Sequence, residues 1–107
     1  MRQRQDKRIR EIRDKIVREY RPEKIILFGS RAYGIPTSSS DYDFLVIKRT
    51  RKRAVERIRE VSDIFLPRTF SLDVIVSTPA EIKKRIEMGD FFYREILDRG
   101  RVLYERW

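Results

Sequence analysis

The sequence predicts a small α/β domain of the mixed α+β kind, a mixed β-sheet packed with helices. Three observations carry that prediction. Apolar residues near the N-terminus recur at helical spacing. Three later apolar runs, Lys24 to Phe28, Tyr42 to Ile47 and Thr69 to Val76, have the length of strands. Between and after them lie segments with helix-start and helix-stop residues. With 107 residues the chain is long enough for one domain of two packed layers, residues 1–107, and too short for a separate substrate domain.

From Asp6 to Tyr20, Ile9, Ile12, Ile16, Val17 and Tyr20 fall on one helical face. The opposite face is charged, and Glu11 and Lys15 stand at the favourable i,i+4 spacing. Pro22 ends this helix, because the residue before a proline is steered away from α geometry. Lys24 to Phe28 is apolar on both faces and therefore predicts a central strand. Gly29 and Ser30 make a turn into a helical turn at Arg31-Ala32-Tyr33, which Gly34 would end in a left-handed conformation. The polar stretch from Ile35 to Ser40 is a loop, and its place between two candidate site segments marks it as a flexible rim.

Tyr42 to Ile47 is the second strand. The basic run Lys48 to Arg53 admits two accounts: a nucleic-acid patch, or a strand-to-helix loop in which Thr50 caps a helix through Ala54, Val55, Ile58, Val61 and Phe65. The second is the more economical. After Pro67, Thr69 to Val76 forms the third strand. Thr78-Pro79-Ala80-Glu81 then has Thr as N-cap, Pro at N1 and Glu at N3, a capping box, with Ile82 and Ile86 facing inward and Gly89 as terminator. Asp90 caps a further helix, Phe91 to Leu97, and Gly100 closes it before a last extended segment, Val102 to Tyr104. Phe91, Phe92, Tyr93, Tyr104 and Trp107 suit a core or a contact surface better than a base-stacking platform.

Composition narrows the chemistry. Cysteine and histidine are both absent, which excludes disulfides, thiolate and imidazole catalysis and Cys- or His-ligated zinc. Carboxylates remain as metal ligands, and they favour Mg²⁺ or Mn²⁺. Lys plus Arg number 26 against 17 Asp plus Glu, a net charge of +9 that favours polyanionic partners. No apolar run reaches membrane-spanning length and no signal segment is recognisable, so a cytoplasmic protein is expected.

The candidate site lies between Ile25 and Ile47. An apolar strand breaking at Gly29-Ser30 exposes backbone N–H groups to an anion. Asp41 and Asp43 alternate onto one face of the next strand, one pleat apart, close enough to share divalent cations. Cations held between protein carboxylates and a substrate's phosphates are the apparatus of phosphoryl or nucleotidyl transfer. Asp73 interrupts an apolar strand, where a carboxylate is costly unless paired, hydrogen-bonded or metal-bound. Taken alone it equally suits an edge or solvent-facing position; taken with Asp41 and Asp43, it reads better as a third ligand or a general base.

These residues resemble the minimal nucleotidyltransferase (MNT) branch of the DNA polymerase β superfamily. Gly29-Ser30, ten intervening residues, Asp41-Tyr42-Asp43 and a later Asp73 are similar to that family's motif. Gly29-Ser30-Arg31-Ala32-x-Gly34, Ser40-Asp41-x-Asp43 and the closing Ile96 to Glu105 add to the likeness, which covers nearly the whole chain. Tyr33 stands where many relatives have a second Arg, so no contact is carried over there. The resemblance implies a polymerase-β-like nucleotidyltransferase fold and two Mg²⁺ ions, with Mn²⁺ as a substitute. Asp41, Asp43 and Asp73 would be the ligands, and Asp73 would also help deprotonate an acceptor hydroxyl. It implies Gly29, Ser30, Arg31 and Ser40 at the nucleotide, ATP or another NTP. It further implies a partner like the HEPN ribonuclease of HEPN/MNT toxin–antitoxin pairs, with AMP moved to that protein. Two rival expectations stand beside this: an antitoxin acting by occlusion alone, and a transferase that modifies nucleic acid.

Overall fold

The run Ile25–Phe28 and the run Phe44–Ile47 are buried almost throughout, because each lies between two other strands and has helices on both faces. The computed structural model describes residues 2–106, with side chains from residue 7 onward, so Trp107 lies outside the described residues. In chain order the elements are α1 (Arg2–Tyr20), β1 (Lys24–Phe28), α2 (Ser30–Tyr33), β2 (Tyr42–Ile47), α3 (Ala54–Ile64), β3 (Leu72–Ser77), α4 (Pro79–Glu87), α5 (Phe91–Arg99) and β4 (Arg101–Glu105). The strands form one mixed sheet in the order β3-β2-β1-β4. β1 is antiparallel to β2 and β4, while β2 and β3 run parallel, with α3 as their crossover.

The period of two along the strands divides the interior into two cores. On one face Ile25, Leu27, Phe44, Val46, Val74 and Val76 meet Ile9, Ile12, Ile16 and Tyr20 of α1 and Val61 of α3. On the other, Ile26, Phe28, Leu45 and Ile47 meet Ile82 of α4 and Ile96 of α5. Burial of each such aliphatic side chain contributes about 1.5–3 kcal/mol, and this holds α1 to the sheet. No helix among the described residues is long and apolar enough to cross a membrane.

Several local readings hold. Thr78 and Glu81 form the capping box of α4, Asp90 accepts from the amides of Phe92 and Tyr93 at the start of α5, and Gly89 has a φ of 78°. α1 ends at Tyr20, and Arg21 takes a positive φ of 54° just before buried Pro22. Others need correction. Lys15 lies over the Phe65 ring, 5.5 Å from its centroid. Gly34 is extended rather than left-handed; a Cβ there would come within 2.8 Å of Ser30 Cα, so close approach explains the glycine. β3 starts at Leu72, later than expected, and α5 runs on to Arg99.

α3 departs most from its expected form. Arg53, not Thr50, is its N-cap, and the Thr50 hydroxyl accepts instead from the Lys52 amide. Val55 and Ile58 are exposed, and the inward position on the first turns is taken by Arg57. This arginine reaches past the edge of β3 to α4. Its guanidinium donates to Glu81 Oε1 at 2.7 Å and Oε2 at 3.2 Å, to Val76 O at 3.3 Å and to Lys52 O at 2.6 Å. Glu81 thus both closes the α4 cap and neutralises Arg57, and this holds its carboxyl below the usual range, chiefly through the Arg57 hydrogen bond.

The Arg57 side chain is 8% exposed and that of Glu81 49%, so losing the carboxylate strands the buried partner more than it frees the exposed one. Glu81→Ala should therefore cost about 2–3 kcal/mol, the sum of the lost acceptor for the Thr78 amide and a buried guanidinium left without its counter-ion. Urea unfolding measures it; a loss below about 0.5 kcal/mol would show that the tie is incidental.

Candidate active site

The strand registers bring the site together. Phe28 on β1 is opposite Asp43 on β2, and Asp43 is beside Asp73 on β3. The two carboxylates therefore start from backbones one strand spacing apart, about 4.8 Å. Asp43 and Asp73 share the sheet face of Leu45, Ile47 and Ile75, the face covered farther along by α4 and α5. Asp41, just before β2, alternates onto the same face and is exposed.

Gly29 closes this corner. It has φ 75° and ψ −160°, a conformation that only glycine adopts readily, and it turns the chain from β1 into α2. Its carbonyl accepts from the amides of Ala32 at 3.0 Å and Tyr33 at 3.1 Å. A Cβ at Gly29 would lie 2.1 Å from Asp43 Oδ2, so the absence of a side chain here is what makes room for the carboxylate. Ser30 is the first residue of α2 and lies beside this turn.

Crowding shows in the electrostatics. The Asp43 carboxyl is pushed up to about 6, first by burial, then by the charges of Asp73 and Asp41, with Arg31 opposing. Among the described residues no three carboxylates are grouped so that together they could hold an ion. The donor set nonetheless fits a hard divalent cation. Its ligands are oxygens, and Asp43 carries a penalty as an anion that a cation would relieve. Asp41, Asp43 and Asp73 are the residues that would hold it.

Arg31 and Ser40, both expected at the nucleotide, make contacts within the loop that joins α2 to β2. Arg31, expected as a supplementary phosphate contact, is buried; its Nη2 donates to Ser40 O at 2.8 Å and Thr37 O at 3.2 Å, and its Nε to Ser40 O at 3.2 Å. Its guanidinium lies 3.9 Å from the centre of the Tyr42 ring. The Ser40 hydroxyl accepts from the Thr37 amide at 2.8 Å. A short loop between two fixed elements satisfies its backbone with the partners at hand: the Arg31 guanidinium for its carbonyls and the Ser40 hydroxyl for the Thr37 amide. Tyr42 escaped notice in the sequence, although strand alternation places its ring on the face opposite Asp43, where Arg31 meets it.

A family model described as a nucleotidyltransferase domain matches residues 9–103, from the first buried isoleucine of α1 into β4. The chain belongs to that family. This nucleotidyltransferase is 33% identical over 102 residues to a Methanocaldococcus jannaschii protein whose name assigns it as a protein adenylyltransferase. The alignment covers 94% of this chain and 98% of the relative. A crystal structure from Sulfolobus solfataricus, assigned by its description as a nucleotidyltransferase, superposes with a TM-score of 0.68 at 23% identity, covering 98% of this chain and 84% of that one. That likeness is one of fold.

Two outcomes follow for the nucleotidyltransferase. Gly29→Ala forces a Cβ into the Asp43 carboxylate and a disfavoured φ, and should cost about 1–3 kcal/mol of stability together with most transferase activity. Activity within twofold of the parent would overturn the close-contact argument. For Asp43, a raised carboxyl pKa means that the fold prefers the protonated form. Its contribution is full below about pH 4 and is lost as pH rises through about 6. In EDTA, Asp43→Asn should accordingly stabilise the protein at pH 7, on the order of 1 kcal/mol after discounting for solvent screening, and leave it unchanged near pH 4. Thermal melts across that range measure the difference, and equal gains at both pH values would contradict it.

Proposed function

We propose that this nucleotidyltransferase moves AMP from ATP, with Mg²⁺, to a hydroxyl group of a separate protein in the cytoplasm. The single observation that carries the reading is the side-by-side register of Asp43 and Asp73 against the Gly29 turn. It sets a carboxylate pair next to a turn where backbone can come close to phosphates. A relative assigned as a protein adenylyltransferase and matched over nearly its whole length supports the choice of acceptor.

In this reading Gly29 and Ser30 bind and orient the β- and γ-phosphates through backbone and hydroxyl. Asp41 and Asp43 would hold the divalent cations that draw in the α-phosphate end, and Asp73, on the outer strand, faces the acceptor. The acceptor oxygen bonds to the α-phosphorus as the bond from that phosphorus to the α,β-bridging oxygen breaks. Asp73 takes the hydroxyl proton, and pyrophosphate leaves with the displaced electron pair. Divalent cations, when bound, neutralise the phosphates and lower the acceptor's pKa, which is why a chain with neither histidine nor cysteine suffices. Lys and Arg exceed Asp and Glu by nine, which favours the approach of a triphosphate.

The first acceptor to test is a HEPN-type ribonuclease, the partner implied by the resemblance, with this chain as its antitoxin. The protein is incubated with α-labelled ATP, Mg²⁺, that ribonuclease and RNA. Label on the ribonuclease, abolished by Asp41→Asn and by Asp43→Asn in folded protein, is the expected result. Label on RNA alone would replace the acceptor with nucleic acid. Absence of label from both would reject transfer, and neutralisation that survives the double variant would point to occlusion.

A further inference from the structure

Asp41 and Asp73 are both exposed, but Asp73 sits within β3 while Asp41 lies outside the β2 ladder, so the sheet alone does not hold Asp41. Both of its neighbours are held. Ser40 O takes two donors from Arg31, at 2.8 and 3.2 Å, and the Tyr42 ring receives the same guanidinium at 3.9 Å. The Tyr42 amide donates to Ser71 O at 2.9 Å, which ties the strand entry to the segment leading to Asp73. Arg31 itself is anchored from the other side: it sits in α2, directly after the Gly29-Ser30 turn.

We infer that Arg31 is a positioning residue. By gripping the backbone on one side of Asp41 and the ring on the other, it sets this carboxylate relative to Asp43 and couples the phosphate turn to the metal ligands. The inference rests on the reading of Asp41 and Asp43 as cation ligands. It assigns Arg31 a task different from binding phosphate, since three N–H contacts point into the chain's own loop. A planar fork is what the task requires. Lysine would keep the charge but could neither span Ser40 O and Thr37 O nor stack flat on Tyr42.

The test is Mn²⁺ binding to the full chain, read from the electron paramagnetic resonance of free Mn²⁺, with Arg31→Lys and Tyr42→Leu compared with the parent and thermal melts as folding controls. Groups that orient a ligand typically change metal affinity 10–100-fold. Arg31→Lys should weaken Mn²⁺ about tenfold and Tyr42→Leu in the same direction. Affinity for a fluorescent ATP analogue in EDTA should hold, and kcat should fall with little change in KM for ATP. Should Arg31→Lys fail to fold, the Tyr42→Leu titration decides. Mn²⁺ affinity equal to the parent in the folded variants overturns the inference, as does a loss of metal-free nucleotide affinity with Mn²⁺ binding intact. A parent chain that binds no Mn²⁺ overturns the metal assignment itself, and the inference with it.

Discussion

The contact between Gly29 Cα and the Asp43 carboxylate constrains everything around it. β1 and β2 pair so that Phe28 is opposite Asp43, and the next residue of β1 must turn away without a side chain. A methyl group at that point would need the space of a carboxylate oxygen. The register of β1 with β2, the left-handed turn at Gly29 and the start of α2 are therefore one decision rather than three. A slip of one residue would carry Asp43 to the opposite face and Phe44 out of its core.

The two faces of the sheet serve different ends. α1 and α3 bury the larger set of aliphatic and aromatic side chains and leave that face closed. The face with Asp43 and Asp73 carries α4 and α5, whose Ile82 and Ile96 pack on Leu45 and Ile47, with Tyr33 of α2 beside them. β3 is an edge strand, which would be weakly held by its single neighbour β2. The Arg57 bridge from α3 to Glu81 passes Val76 O at that edge and fixes the far end of the strand whose near end bears Asp73. Stability at one end of β3 thus supports geometry at the other.

Much of this was legible in the sequence because it depends on backbone preference and periodicity. Alternation gave the faces of β2, the Thr78 to Glu81 box gave the start of α4, and the apolar runs before Gly29 and after Asp41 gave the two strands whose pairing sets Gly29 against Asp43. What escaped was the destination of long side chains. Arg31 in a phosphate-binding motif looks like a phosphate ligand, yet nothing local reveals that the Thr37 and Ser40 carbonyls take its N–H groups. Arg57 was hidden for a related reason: in an amphipathic helix a charged residue is read as solvent-facing, and its partner lies 24 positions away. Val55 and Ile58, read as core, are exposed because α3 enters beside an edge strand, where the layer beneath is incomplete.

The charge distribution joins these points into one argument. The chain as a whole is cationic by nine, and its surface charges act over roughly the screening length of about 8 Å at physiological salt. Asp41, Asp43 and Asp73 are set against that background, close enough that Asp43 is held well above the ordinary carboxylate range. A buried arginine stands beside them without pairing with them; its N–H groups go to carbonyls, so it tempers the local field but leaves the carboxylate oxygens open. A salt bridge from Arg31 to Asp43 would have relieved the repulsion and used up a ligand. With the guanidinium turned to the loop, the repulsion persists in the folded chain. The fold gives up some stability at the site, a cost that the proposed binding of a divalent cation would offset.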